Sequence, residues 1–186
     1  MTGLPSTRSS PAEAAAVLER WRAEEAAVRA RMTTVGVAEP SQVAGKTGLE
    51  VFALMLAGDL PRPPIADTLD FTLIEVSFGR AVFQGRPLPR HYNPLGSVHG
   101  GWFATLLDSA VGCAVHSILP AGKAYTTAEL KINIVRPLTA SVPLVRAIGE
   151  VIHPGSRMAT ADGRLVGADG RLYAHASTTC FVYDAS

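Results

Sequence analysis

Residues 99–118 read His99-Gly100-Gly101-Trp102-Phe103-Ala104-Thr105-Leu106-Leu107-Asp108-Ser109-Ala110-Val111-Gly112-Cys113-Ala114-Val115-His116-Ser117-Ile118, and how this stretch must be covered decides the fold. After the glycines, Trp102, Phe103, Leu106, Leu107, Ala110, Val111, Cys113, Ala114, Val115 and Ile118 leave no wide polar face. That is the pattern of a helix buried on nearly all sides. Asp108 is its only charged residue. A carboxylate in an apolar setting loses hydration that it regains only through a partner, a metal or a shifted pKa, which makes Asp108 a functional candidate. The competing reading is an acid tied down by a buried hydroxyl or backbone N–H. Gly100 and Gly101 stand where the helix begins, at the positive end of its dipole, where the first N–H groups lack intrahelical partners and no side chain blocks close approach. These two residues form a candidate oxyanion site.

A helix of this kind must be covered, and the residues on both sides read as strands. Downstream, Pro120-Ala-Gly-Lys forms a turn, and Tyr125 to Val135 alternates. Ala128, Leu130, Ile132 and Ile134 fall on one face; Thr127, Glu129, Lys131 and Asn133 fall on the other. Strands are expected at 144–152, 157–166 and 171–183. Of the two Ala-Asp-Gly-Arg-Leu repeats, only the one with Asp169-Gly170 leaves room for a full strand before its turn. The small residues Ala174, Ala176, Thr178 and Cys180 of the last strand let a helix lie close. Upstream, 69–78 and 80–86 read as a hairpin about Gly79, with weak alternation. The expected fold is therefore α+β: a curved antiparallel sheet of five to six strands wrapped around one central helix.

The N-terminal third is different in character. Residues 11–32 predict a charged helix with Ser10 as cap, Pro11 at its first position and Glu13 completing a capping box. Val17, Leu18, Trp21, Val28 and Met32 make only a ragged stripe, which predicts a solvated helix lying on the domain or on a partner chain. Thr47 and Glu50 mark a second, shorter helix that Gly58 stops, and Pro61, Pro63 and Pro64 read as a stiff connector. The expected division is a mostly helical extension, 1–45, and a body, 46–186.

Composition narrows the function. A chain of 186 residues with 47% hydrophobic content and net charge +1 has a good core and no reason to bind nucleic acid. Residues 1–10 lack the apolar core of a signal peptide, and no apolar run approaches the roughly 20 residues a bilayer crossing takes, so a cytoplasmic protein without a membrane partner is expected. Cys113 and Cys180 show neither disulfide-framework nor metal spacing. No metal site is expected, and no nucleotide-binding glycine pattern is present. Ser97 lacks the Gly-x-Ser-x-Gly context of an esterase nucleophile.

Three motifs in order carry a family resemblance. Asn93-x-x-Gly96-x-x-His99-Gly100-Gly101, Thr105-Leu106-Leu107-Asp108, and Thr126-Thr127-Ala128-Glu129-Leu130-Lys131 with Arg136-Pro137 resemble the PaaI-like hot-dog acyl-CoA thioesterases, over residues 67–183. The resemblance implies hydrolysis of an acyl-CoA substrate with no cofactor beyond the CoA of the substrate itself. It also implies a homodimer, often paired into a dimer of dimers, with each site shared by two subunits. On this sequence Asp108 matches the catalytic carboxylate, as nucleophile or general base, and Gly100 the backbone N–H that polarises the thioester carbonyl. Asn93 matches the side chain that positions carbonyl or water, and Thr127 the hydroxyl that holds the attacking water. His99 and Gly101 are expected beside the substrate, and Arg157 near the CoA phosphates, with Lys131 and Arg136 as alternatives. Two rival functions share the fold. A hot-dog enoyl-CoA hydratase is disfavoured because the Asp and His expected around Asn93-Pro94 are absent, and a non-catalytic acyl-CoA-binding protein has no use for Asp108.

Overall fold

The computed structural model describes residues 9–185, so residues 1–8 of the extension lie outside the described residues. Six strands form one antiparallel sheet: β1 (Phe71–Ser77), β2 (Arg80–Gly85), β3 (Lys123–Ile134), β4 (Val145–His153), β5 (Met158–Gly167) and β6 (Leu172–Asp184), in the order β1-β2-β4-β5-β6-β3. The sheet curves around a single long helix at Gly100–Ser117, here α5, since four α-helices precede it among the described residues. Asp169-Gly170 makes the β5–β6 turn with Gly170 at φ +78°, while Asp162-Gly163 of the other repeat lies inside β5.

The sheet grips α5 through small residues. Ala81, Ala147, Ala161, Ala174, Ala176 and Cys180 are all fully or almost fully buried beneath it. At Gly149 of β4 even a methyl group is excluded, because a Cβ there would stand 2.2 Å from the Ala110 carbonyl oxygen and 2.7 Å from the Val111 nitrogen. The helix backbone thus rests directly on the strand. Leu106, Leu107, Val111 and Val115 fill the remaining space with no exposed surface, and each such side chain contributes about 1.5–3 kcal/mol of burial.

The third strand departs from its expected alternation. Thr127 pairs with Cys180 and Glu129 with Thr179, which leaves Ala128 as an extra residue in a β-bulge. The bulge reverses the phase, so Thr127 turns to the helix side together with Leu130, Ile132 and Ile134 instead of facing outward with Glu129 and Lys131. Strict period-2 counting put Thr127 on the wrong face because it has no means of registering one inserted residue.

The helices cover what the sheet leaves open. Helix α1 (Pro11–Arg31) carries the Ser10–Glu13 capping box that the sequence signals. It lies on the domain, against the sheet face opposite α5, where Gln84 and Arg146 are cross-strand partners. Gln84 Nε2 donates to the Trp21 carbonyl (3.2 Å) and to Glu25 Oε2 (2.9 Å), Arg146 Nε donates to Gln84 Oε1 (2.9 Å), and the Arg146 guanidinium pairs with Glu24 and sits 4.5 Å over the Trp21 ring. Trp21, Val28 and Met32 are buried, so the ragged stripe is an anchor and the helix is less solvated than its charge suggests. A single helical turn, α2 (Pro40–Val43), leads to α3 (Gly48–Ala57), whose Phe52 meets His116 edge-on at 5.1 Å. The proline run is not only a connector: Pro64 starts a short helix, α4 (Pro64–Thr68).

Candidate active site

The first turn of α5 is held by a histidine. His99 is its N-cap, and its Nδ1 accepts the Gly101 N–H at 2.9 Å, which requires a ring with its proton on Nε2. A Cβ at Gly101 would stand 3.0 Å from that nitrogen, so any larger residue there crowds the cap. The Gly100 N–H has no acceptor among the described residues and remains free at the positive end of the helix dipole. A Cβ at Gly100 would meet only the flexible tip of Ile134, at 3.3 Å.

The loop that delivers this turn is built on Asn93. Its Oδ1 accepts the N–H groups of Leu95 (2.9 Å) and Ser97 (3.3 Å), its Nδ2 donates to Ser97 Oγ (3.2 Å), and its own N–H donates to Ser97 O (2.7 Å). The carboxamide therefore folds inward on residues 93–97, leaving one of its two N–H bonds uncommitted. Next to this loop and the first turn of α5 is a cavity of about 410 Å³, walled by Leu69, Arg90, His91, Tyr92, His99 and Trp102. His91 is buried and stacked on Trp102 at 5.5 Å; burial, then the Arg90 charge, hold its pKa below the usual histidine value. Of these wall residues the sequence reading singled out only His99 as a neighbour of the substrate; Arg90, His91 and Tyr92 carried no signal beyond their nearness to Asn93 in the chain.

Two turns along, Asp108 is half-buried, not enclosed. Gly101, Ala104, Thr105 and Asp108, at the spacing i, i+3, i+4, i+7, form a stripe that the sheet does not cover. The helix is thus less fully buried than its apolar content predicts. Thr105 Oγ1 spends its hydrogen bond on the Gly101 carbonyl and Ser109 Oγ on the Thr105 carbonyl, whereas Asp108 Oδ1 accepts from Thr127 Oγ1 at 3.2 Å. The bulge at Ala128 is what turns this hydroxyl toward the acid. Behind them, burial, with the Asp108 charge adding to it, pushes the Cys113 thiol up to about 12, and burial raises Tyr125 well above the usual tyrosine value. Neither is a candidate base near neutral pH.

Not all the sequence-predicted residues meet in one chain. Asp108 and Thr127 touch; Gly100, Gly101 and His99 cluster with the Asn93 loop. Eight residues at 1.5 Å each put Gly100 about 12 Å from Asp108 along the helix axis. Arg157 is exposed at the start of β5, at the end of the sheet shared with Tyr125–Thr127, and makes no ion pair among the described residues. Lys131 and Arg136 are exposed as well. Among the described residues no His, Cys, Asp or Glu side chains gather as a metal-binding group, and no helix is long and apolar enough to cross a membrane.

A family model described as the thioesterase superfamily matches residues 95–174, from the Asn93 loop to the start of β6. Among solved structures, a phenylacetic acid degradation-related protein from Ralstonia eutropha is 30% identical, with a TM-score of 0.64 over 70% of this chain and 98% of its own. A thioesterase family protein from Silicibacter pomeroyi is 26% identical, with a TM-score of 0.61 over 66% of this chain and 90% of its own. The E. coli PaaI protein, at 24% identity and a TM-score of 0.60 over 66% of this chain and 86% of its own, shares the fold. No curated protein matches the sequence.

Proposed function

The chain belongs to the PaaI-like hot-dog proteins of the thioesterase superfamily, and from that membership we propose that it hydrolyses acyl-CoA thioesters to a free acid and CoA, working as a homodimer. The observation that carries the reading is the Asp108 carboxylate with the Thr127 hydroxyl at 3.2 Å, on a helix stripe left uncovered and eight residues from an unpartnered N–H. Thioester hydrolysis needs a base or nucleophile and a place for negative charge. Asp108 attacks the carbonyl carbon itself or takes a proton from a water that Thr127 holds. Charge then grows on the carbonyl oxygen, which the Gly100 N–H receives. The tetrahedral intermediate expels CoA as a thiolate. Where water is the nucleophile, the proton taken from it passes to that sulfur. Where Asp108 is the nucleophile, water then cleaves the acyl–aspartyl anhydride, which releases the acid, restores the carboxylate and supplies the proton the sulfur takes up. His99 serves by capping the turn that presents Gly100, and Asn93 by closing the loop beneath it. Arg157 takes a CoA phosphate, with Lys131 and Arg136 as the alternatives.

One thioester cannot touch both Gly100 and Asp108 of the same helix across about 12 Å. The open edge of the sheet answers this. The β3 strand is an edge, twelve residues long and half-exposed along the uncovered stripe. Pairing two copies of β3 about a two-fold axis continues the sheet and sets two α5 helices antiparallel, so that Gly100 and Asn93 of one protomer face Asp108 and Thr127 of its partner. A panel of acyl-CoAs assayed for free thiol release tests the activity, and no release from any of them overturns it. Mixing tests the geometry: Asp108→Ala and a protein with Asn93→Ala and Gly100→Val are each inactive alone, and subunit exchange restores one site in two. Proven exchange without recovery rejects the shared site.

A further inference from the structure

Asp70 is the one non-glycine residue among the described residues whose backbone is left-handed, at φ +52°. Such a conformation persists only where the surroundings over-determine it, and it points to a position that has work to do. Here the surroundings are specific. Arg29 of α1 donates to Asp70 Oδ1 at 2.9 Å, Arg90 Nη2 lies 3.7 Å from Oδ2, and the Asp70 carbonyl accepts the Arg86 N–H at 3.3 Å. Arg29 is fixed in turn by the buried carboxylate of Glu25 at 2.7 Å.

Both groups next to Asp70 are walls of the cavity beside the first turn of α5. Leu69 precedes it in the chain, and its carbonyl accepts the Trp102 indole N–H at 3.0 Å; Arg90 is its second ion-pair partner. A continuous series of contacts, Glu25–Arg29–Asp70 and then Leu69 and Arg90, therefore runs from the N-terminal helix to the cavity that adjoins His99 and Gly101 in the first turn of α5. We propose that α1 sets which acyl groups the enzyme accepts: Arg29 and Asp70 are positioning residues, and Leu69 and Arg90 are the wall they place. The proposal rests on the thioesterase reading above. It gives residues 11–31 a part in selectivity that their sequence, a charged helix outside the family resemblance, does not suggest.

The test compares the full chain with Arg29→Ala, Arg29→Lys and Asp70→Asn, the last of which removes the charge while asparagine tolerates the left-handed backbone. Each is assayed with straight-chain acyl-CoAs of increasing length, from acetyl upward, and titrated with the matching non-hydrolysable thioether analogues. A wall contact is worth about tenfold, so Arg29→Ala and Asp70→Asn should lose that much in kcat/KM and thioether affinity for chains long enough to reach Leu69. The loss should fall on KM, with kcat and the acetyl substrate unaffected and Arg29→Lys restoring most of it. A fall of equal size at every chain length, or no change in either variant, overturns the proposal. Should the wild type hydrolyse none of the substrates, the thioesterase reading fails by itself. The thioether titrations still decide, with a length-dependent loss supporting the role of α1 and a uniform one rejecting it. Should Arg29→Ala not fold, Asp70→Asn carries the same comparison.

Discussion

Glu25 and Asp108 are two carboxylates on two long helices, and the fold treats them in opposite ways. Glu25 is 5% exposed and fully engaged, by Arg29 at 2.7 Å, Gln84 at 2.9 Å and Arg86 at 3.6 Å. Asp108 is half-buried and has one hydroxyl for company. The sequence suggests the reverse, with Glu25 among the charges of a solvated helix and Asp108 alone in an apolar one. A deeply buried acid must have its lone pairs satisfied to exist there at all, so its partners mark it as structural. An acid with unspent hydrogen-bonding capacity on a surface left uncovered is the one free to act on something else.

The sharpest way to break this contrast is Asp108→Ala. Turnover of acyl-CoA should fall by about a thousandfold or more, with a melting temperature close to wild type because only one hydroxyl contact is lost. Wild-type turnover in the folded variant would remove Asp108 from the chemistry. Glu25→Ala should do the opposite. Breaking the buried pair costs about 3–5 kcal/mol of stability, read from a denaturation midpoint, while kcat of the folded protein stands. A collapse of kcat at full stability would show that the roles of the two acids had been exchanged. Thr127→Val, which keeps the shape and removes the hydroxyl, should lower turnover by about 10- to 100-fold, and Thr127→Ser should keep most of it; equal rates in the two variants would leave the hydroxyl without a role.

The smallest expected effect reads the dryness behind Asp108. The Cys113 thiol is raised to about 12, so the stability it contributes as a neutral group is fully present below its unfolded value of about 8.5 and is lost as pH rises toward 12. The melting temperature should therefore decline between pH 9 and 11, and less steeply in Cys113→Ser. Identical slopes would mean that water reaches the sulfur.

The sheet and its central helix were legible because they depend on local patterns: the apolar run after Gly101, the small residues of β6, the Asp169-Gly170 turn and both capping boxes. Gly100, Asp108 and Thr127 were legible as residues, through their motifs. Their geometry was not. The inserted Ala128 leaves no mark in the hydrophobic pattern, yet it decides whether Thr127 faces Asp108. The anchoring of α1 joins Trp21 and Glu25 to Gln84 and Arg146, partners about sixty residues or more away, and no window along the chain sees such a pairing. Asp70 reads as one more polar residue before a strand, because a left-handed backbone at a non-glycine is set by tertiary contacts and not by composition.

The bare contact at Gly149 has a consequence for how accurately the Asp108 carboxylate is placed. Asp108 is two residues from Ala110, whose carbonyl oxygen lies where a Cβ of Gly149 would have to be. Main chain on main chain has no rotamers, so nothing between helix and sheet can hop, tilt or be repacked at that point. The height of Asp108 above the strands is levelled like an instrument seated on bare stone, and it inherits the stiffness of the whole sheet. A methyl group at position 149 would act as a shim: it would lift the helix, and with it the carboxylate, out of alignment without touching either one's chemistry.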